Sequence, residues 1–353
     1  MTEGWADQCR DLEQQLDDAR EIPALAAISN RFPGFQADMQ AGSVDAIEQA
    51  RQLTALMDRL TRVVIRLVIE RRDQPAPGPW AWLACGSQGR SEQTVHTDQD
   101  NAMVYADDLP ASADAWFGET ARQISRGLAD CGLPLCPGGV GPSNPEWRRP
   151  ASGWRRAFEQ VIRNPENRAV MLATHYMDLR VVDGPPDLFE PLRRQALTEA
   201  GINRRFMARL RDGAIRTRPP INLFGRFRTP WFGANAGLLD LKQGGILPLV
   251  QLARCFAVRG GLPALHTLDR LRQAQQAGLL SADSAQALAD AYRQLTGIRA
   301  RLQAESIQAG EPLANRFSPR RMTADELDAL RKGFRAISAM QAVLRQTVLG
   351  QGL

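Results

Sequence analysis

The sequence has few cysteines and histidines for its length. Its 353 residues include five cysteines, scattered along the chain without a C-x-x-C pair, and three histidines. This pattern excludes a disulfide framework and a zinc knuckle, and it favours a protein that resides in a reducing compartment. The length predicts two or three domains, each large enough to bury a hydrophobic core, so that folding requires neither a disulfide nor a bound metal.

Long hydrophobic runs are also lacking. The longest apolar stretch, Val63–Ile69, is interrupted by Arg66, and the first residues are acidic rather than basic. We therefore expect a cytoplasmic protein with no membrane span, no secretory signal peptide and no membrane partner. With 44% apolar and 24% charged residues, the composition also excludes disorder, collagen and a coiled-coil rod as descriptions of the whole chain.

The positive charge is concentrated in the later part of the chain. The net charge is +5, although residues 1–70 contain 12 acidic residues against 7 arginines. Residues 201–228 contain eight arginines and a single aspartate. Such a segment attracts a polyanion, for example a triphosphate or a nucleic acid, but a solvated basic helix face gives the same pattern.

Lysine is the rarest of the common charged residues here. The 44 basic residues include only two lysines, Lys242 and Lys332. Lys242 lies in the sequence Asp-Leu-Lys-Gln-Gly-Gly, where an ammonium group would contact phosphate as a point charge that a forked guanidinium does not replace. A surface lysine at the start of a helix is the alternative interpretation.

The periodicity of apolar residues predicts an α+β protein. Helical stripes occupy the first seventy residues, and a proline-rich stretch at 75–79 ends them. The next segment mixes predicted strands at 80–85, 102–105 and 176–182 with helices, whereas the chain from about residue 186 onward shows only helical patterns. We predict an N-terminal helical region (1–74), a domain with a small mixed sheet (75–190) and a C-terminal helical bundle (191–353).

The most informative motif follows the first predicted strand. Gly86 and Ser87 form a small turn in which backbone N–H groups and a hydroxyl can approach phosphate oxygens. Ten residues later, Asp98 and Asp100 open the second strand, and positions i and i+2 of a strand face the same side. Two adjacent carboxylates repel each other unless a divalent cation lies between them. The combination is what metal-dependent nucleotidyl transfer requires, whereas an isolated Asp-x-Asp also occurs in solvent-facing turns.

These residues resemble the nucleotidyltransferase motif of the DNA polymerase β superfamily. The stretch is similar to the transferase domain of the protein-PII uridylyltransferases, and closer still to a bacterial nucleotidyltransferase family whose members are often fused to CBS and cyclic-nucleotide-binding domains. Gln99 and Asn101 depart from the superfamily pattern, which has apolar residues there, but the closer family shares them. The resemblance rests on segments 86–93, 97–102, 136–140, 143–147, 178–180, 240–248, 252–254 and 267–271.

The resemblance implies a polymerase-β-like fold and a set of site residues. Asp98 and Asp100 would be catalytic and bind Mg²⁺ or Mn²⁺. Asp178 would complete the metal site or accept the proton of the attacking hydroxyl, unless it forms a structural ion pair. The remaining residues would contact nucleotide or phosphate, or brace the turn, and are Gly86, Ser87, Arg90, Glu92 and Lys242.

The function that follows is transfer of a nucleoside monophosphate, UMP or AMP, from an NTP to a hydroxyl, with release of pyrophosphate. The acceptor would be a small molecule or a protein, for example a regulatory protein in signal transduction, and a homodimer through the N-terminal helices is a further expectation. A nucleotide-binding sensor without turnover is the main alternative, and the polar residues Gln99 and Asn101 support it. RNA end modification is a third hypothesis, although no RNA-binding motif is present and a nucleic-acid partner is not expected.

Overall fold

The computed structural model describes residues 4–222 and 224–346. The helices are α1 (Gly4–Asp18), α2 (Ile22–Ser29), α3 (Phe32–Ala41), α4 (Ala46–Glu70), α5 (Gly86–Gly89), α6 (Ala113–Asp130), α7 (Ala151–Arg163), α8 (Asn167–Tyr176), α9 (Glu190–Ile202), α10 (Arg204–Arg216), α11 (Leu247–Arg259), α12 (Thr267–Gln276), α13 (Ala282–Gln308) and α14 (Ala324–Gln346). The strands are β1 (Trp80–Ala84), β2 (Asn101–Tyr105), β3 (Arg148–Pro150), β4 (Arg180–Asp183), β5 (Leu239–Asp240) and β6 (Arg316–Phe317). The predicted α+β class is confirmed.

The chain divides into two compact units. The first unit contains the chain up to Val44 together with Glu48–Glu159 and His175–Ala196, and the second contains Asp45–Ile47, Gln160–Thr174 and the chain from Leu197 onward. The three-part division at residues 74 and 190 stays a prediction. In the described part of the chain, no helix combines the length and hydrophobicity needed to cross a membrane.

A four-stranded mixed sheet forms the centre of the first unit, in the order β3-β2-β1-β4. β1 pairs antiparallel with β2 and with β4, whereas β2 and β3 are parallel. All five residues of β2 and four of the five in β1 are buried, since both strands are central. The N-terminal helices share this core, because Leu16 and Leu60 belong to the same buried cluster as Trp82 of β1 and Phe117 of α6.

The sheet differs from the sequence prediction at its two edges. The strand expected at 176–182 begins only at Arg180, because α8 continues to Tyr176 and a turn follows it. In this turn Asp178 N donates to His175 O at 2.9 Å. Tyr176 is buried with its ring 5.2 Å from that of Trp154. β3 has no apolar alternation, and for this reason the sequence did not reveal it.

The second unit is almost entirely helical, as predicted for the C-terminal part. α11 packs against α10 and α12, and α13 packs along α14. Apolar residues at helical spacing form the core, and Leu249, Phe256, Leu295 and Phe334 are buried in it. The two-residue strands β5 and β6 pair antiparallel, and a π-helical segment, Lys242–Ile246, leads into α11.

Candidate functional site

The first element of the site is a tight turn at the end of β1. The backbone passes from extended Cys85 into the one-turn helix α5, which Gly89 N→Cys85 O (3.0 Å) and Arg90 N→Gly86 O (3.2 Å) close. Gly86 has a φ of +59°, the left-handed region that glycine adopts most readily. Ser87 follows as the second residue of α5 and is half-buried. The turn predicted at Gly86 and Ser87 is therefore present.

The aspartate pair lies immediately before β2 rather than within it. Between the two carboxylates, Gln99 points into the protein, where its side-chain amide donates to Ser125 O at 2.9 Å and to Leu133 O at 2.6 Å. Gln99 also forms an isolated parallel bridge with Leu135. Since neighbouring residues of an extended segment face opposite sides, burial of Gln99 turns Asp98 and Asp100 to the other side. The two carboxylates are brought together as the spacing predicted.

Glycine at position 86 lets the aspartate pair approach the turn. A Cβ atom on Gly86 would lie 2.5 Å from Asp100 Oδ2, which is closer than real Cβ contacts allow. The backbone on the two sides of this contact is joined by Cys85 N→Asp100 O at 2.9 Å. The turn expected to bind phosphate and the carboxylate expected to hold a metal are thus in direct contact.

The structure adds Cys136 to this site. One ligand atom each of Asp98, Asp100 and Cys136 lies within 4.8 Å of the others, and in the described part of the chain this is the cluster of three or more such residues close enough to share a metal ion. Burial, and to a smaller degree the charge of Asp100, raises the pKa of the Cys136 thiol to about 11, so that it is protonated at neutral pH. Cys136 begins one of the segments that carry the family resemblance, but no spacing in the sequence indicates that it is a metal ligand; the bridge between Gln99 and Leu135 brings it there.

The donor set fits a hard divalent cation. Mg²⁺ and Mn²⁺ prefer carboxylate oxygens, and Asp98 and Asp100 supply them, whereas a protonated thiol is a weak ligand for either ion. Both aspartates are half-buried and therefore accessible to an ion from solvent. Because Gly86 has no side chain, nothing from residue 86 covers the Asp100 carboxylate, whereas a Cβ there would lie 2.5 Å from Asp100 Oδ2. Asp98 and Asp100 are the residues that would hold the cation.

A buried ion-pair network also contacts the end of the turn. Arg90 Nη1 is 2.5 Å from Asp178 Oδ2, and Arg90 Nε is 2.7 Å from Glu92 Oε2. Burial by itself would lower the pKa of Arg90, but the charges of Glu92 and Asp178 outweigh it and hold this pKa above its ordinary value. The guanidinium thus stays charged, and its two ion pairs hold Arg90, the residue that follows α5, in place. The role of Asp178 as a third metal ligand stays a prediction.

A second arginine ties the turn to the long N-terminal helix α4. Arg180 Nη1 lies 2.8 Å from Asp58 Oδ2, and its other amino group donates to Gln88 O at 3.0 Å. The side chain of Gln88 donates to Asp58 Oδ1 at 3.0 Å, which closes the network. The sequence does not single out Asp58, because the helical spacing of the apolar residues around it indicates only an amphipathic helix. α4 therefore positions the turn in addition to contributing to the core.

The last predicted site residue, Lys242, belongs to the second unit. It begins the π-helical segment and is half-buried. The eight arginines of the basic segment also lie in this unit, on α10 and in the loop that follows. The other predicted site residues lie in the first unit.

The first unit thus combines a small mixed sheet with paired carboxylates beside a glycine-containing turn. Residues 30–168 match the family model described as "Putative nucleotidyltransferase DUF294", and residues 204–348 match the model "Putative nucleotidyltransferase substrate binding domain". The two matches cover most of the chain, and the protein belongs to this nucleotidyltransferase family. No curated protein matches the chain.

Proposed function

We propose that this protein is a metal-dependent nucleotidyltransferase that moves UMP or AMP from an NTP to a hydroxyl group and releases pyrophosphate. The observation that carries the proposal is the contact between Gly86 and Asp100, which unites a phosphate-binding turn with a carboxylate pair. Neither feature alone is specific, but nucleotidyl transfer requires both at one place. Membership of a family described as nucleotidyltransferases supports the same reaction class.

Each group at the site has a task in this reaction. Asp98 and Asp100 would hold Mg²⁺ or Mn²⁺, which, when bound, neutralises triphosphate charge and favours deprotonation of the acceptor hydroxyl. The first N–H groups of a helical turn have no intrahelical acceptor, so the backbone of Gly86 and Ser87 can donate to phosphate oxygens. Arg90 holds the turn in place through its buried carboxylate partners.

For the acceptor, the proposal extends the resemblance of the site motif to that of the protein-PII uridylyltransferases. A tyrosine hydroxyl on a regulatory protein would be an acceptor of the required chemistry, with a role in signal transduction. The second unit would bind this acceptor, in keeping with the family model that it matches. Lys242 would contribute a phosphate contact there.

The alternative, a sensor without turnover, rests on the polar residues next to the aspartates. In the structure, the Gln99 amide is buried and hydrogen-bonded to two backbone carbonyls, and Asn101 Nδ2 donates to Leu83 O at 3.5 Å. These side chains therefore have structural partners within the fold. Their polarity does not require a loss of catalytic function, and turnover is the preferred proposal.

The first test is thermal unfolding of the protein with ATP, UTP, GTP or CTP, each with and without Mg²⁺. A nucleotide at 100 times its Kd should raise the free energy of unfolding by about 2.7 kcal/mol. We expect Mg²⁺-dependent stabilisation by one or two nucleotides, and its loss in Asp98→Asn/Asp100→Asn. The selected nucleotide is then used with an α-phosphate label to detect transfer.

The control variant is Asp108→Asn/Asp130→Asn, which makes the same charge change at two exposed positions of the first unit. It should keep the stabilisation of the wild-type protein. If folded wild-type protein is stabilised by no nucleotide, or if the site variant and the control behave alike, the proposed site is wrong. Stabilisation without any labelled product would favour the sensor.

A further inference from the structure

The second unit contains a cavity with a strongly cationic lining. Its volume is about 530 Å³, within the range of about 300–1,000 Å³ that is typical of small-molecule sites. One wall is the loop after α10, and the other is α14, whose positions 335, 338, 342 and 345 recur at helical spacing. Four arginines line the cavity, namely Arg218, Arg228, Arg335 and Arg345.

The charge of these four arginines is not balanced by the protein. Their side chains are exposed, and no carboxylate among the described residues lies within ion-pair distance of any of them. Other arginines of the same unit do have acidic partners, for example Arg301 with Glu326 and Arg321 with Glu311. The cavity is therefore a local concentration of cationic groups, to which an anion from solution is attracted.

The walls of the cavity are held in place by hydrogen bonds. Gln341 of α14 is buried and donates to Ala214 O at 3.0 Å and to Thr217 O at 2.8 Å, which fixes the loop against the helix. Asn222 Oδ1 accepts from Phe224 N and from Arg226 N, both at 2.9 Å, and shapes the loop at its tip. A ligand therefore meets a largely formed site, and binding costs less ordering of the protein.

We propose that this cavity binds a small polyanion that carries two or more phosphate groups. Guanidinium groups donate paired hydrogen bonds to phosphate oxygens, and four of them match the charge of a di- or triphosphate group. The aromatic side chains of the same loop, Phe224, Trp231 and Phe232, are exposed but do not line the cavity. Base stacking is therefore not part of this site, which favours a small phosphorylated molecule over a nucleic acid.

The proposal does not depend on the transferase reaction, because none of the residues that line the cavity belongs to the proposed transferase site. Its test is calorimetric titration of the full-length protein with inorganic triphosphate in the presence of EDTA, which removes any metal. We expect one site per chain, and at least about tenfold weaker binding in Arg335→Gln/Arg345→Gln, since each substitution removes a charge-assisted contact. Asp98→Asn/Asp100→Asn should bind as tightly as the wild-type protein.

The matched control is Arg204→Gln/Arg205→Gln, which removes the same charge at two exposed positions. These residues lie at the start of α10, about 18 Å along the helix from its last residue, Arg216, after which the loop with Arg218 begins. It should change the affinity by less than about twofold, as expected for a contribution of net charge alone. Equal weakening in the two double variants, or no binding to the wild-type protein, would overturn the proposal. Tighter binding of a single-stranded oligonucleotide than of triphosphate would assign the surface to nucleic acid instead.

Discussion

Replacement of Arg90 by methionine should destabilise the first unit by about 3–5 kcal/mol, because it leaves two buried carboxylates without their cation. The Asp178 and Glu92 side chains are 1% and 4% exposed, so water cannot take the place of the guanidinium. Methionine keeps an unbranched side chain, and the loss therefore reflects charge more than packing. Urea unfolding followed by tryptophan fluorescence measures the effect, since six of the seven tryptophans lie in this unit.

Two further variants separate the buried charge from other causes. Arg122→Met removes an exposed pair with Glu119 on α6 and should cost no more than about 0.5 kcal/mol. Addition of Glu92→Gln and Asp178→Asn to Arg90→Met should restore most of the lost stability, because no uncompensated charge then remains buried. A loss below about 1 kcal/mol in Arg90→Met, or no recovery in the triple variant, would refute this account of the network.

Three other predictions concern the site and the sheet. Gly86→Ala should abolish metal-dependent nucleotide binding, measured by calorimetry, because its Cβ would displace Asp100; unchanged affinity would contradict this. Burial and Asp114 raise the pKa of Tyr105 to about 12, so the free energy of unfolding should fall from pH 10 to 12, and fall less in Tyr105→Phe. Cys136→Ala should leave Mg²⁺-dependent stabilisation unchanged but weaken Zn²⁺ binding in a calorimetric titration, since Zn²⁺ takes thiolate ligands.

The parts of the fold that the sequence predicted are those that follow from local spacing. The stripe of α4, the two central strands and the helical second unit each appear as a periodicity within a single segment. β3 lacks such a signal, because two arginines and a proline occupy its three positions. It becomes a strand only because the neighbouring edge of β2 accepts it in parallel pairing.

The candidate site likewise has some parts that follow from local sequence and others that depend on tertiary contacts. Glycine at 86 and the alternation of Asp98, Gln99 and Asp100 determine a turn and a carboxylate pair, since both depend on bonds and alternation within a few residues. Their contact with each other required only one pairing, that of β1 with β2.

Other features of the site were decided by tertiary structure alone. Gln88 and Arg180 meet Asp58 across 30 and 122 residues of chain, and Cys136 reaches the aspartates through a loop that bridges to Gln99. No periodicity encodes such contacts, because they arise from the packing of separate elements around one core. The sequence by itself therefore determined which groups are candidates for the proposed chemistry, while the tertiary structure decided what holds them in position.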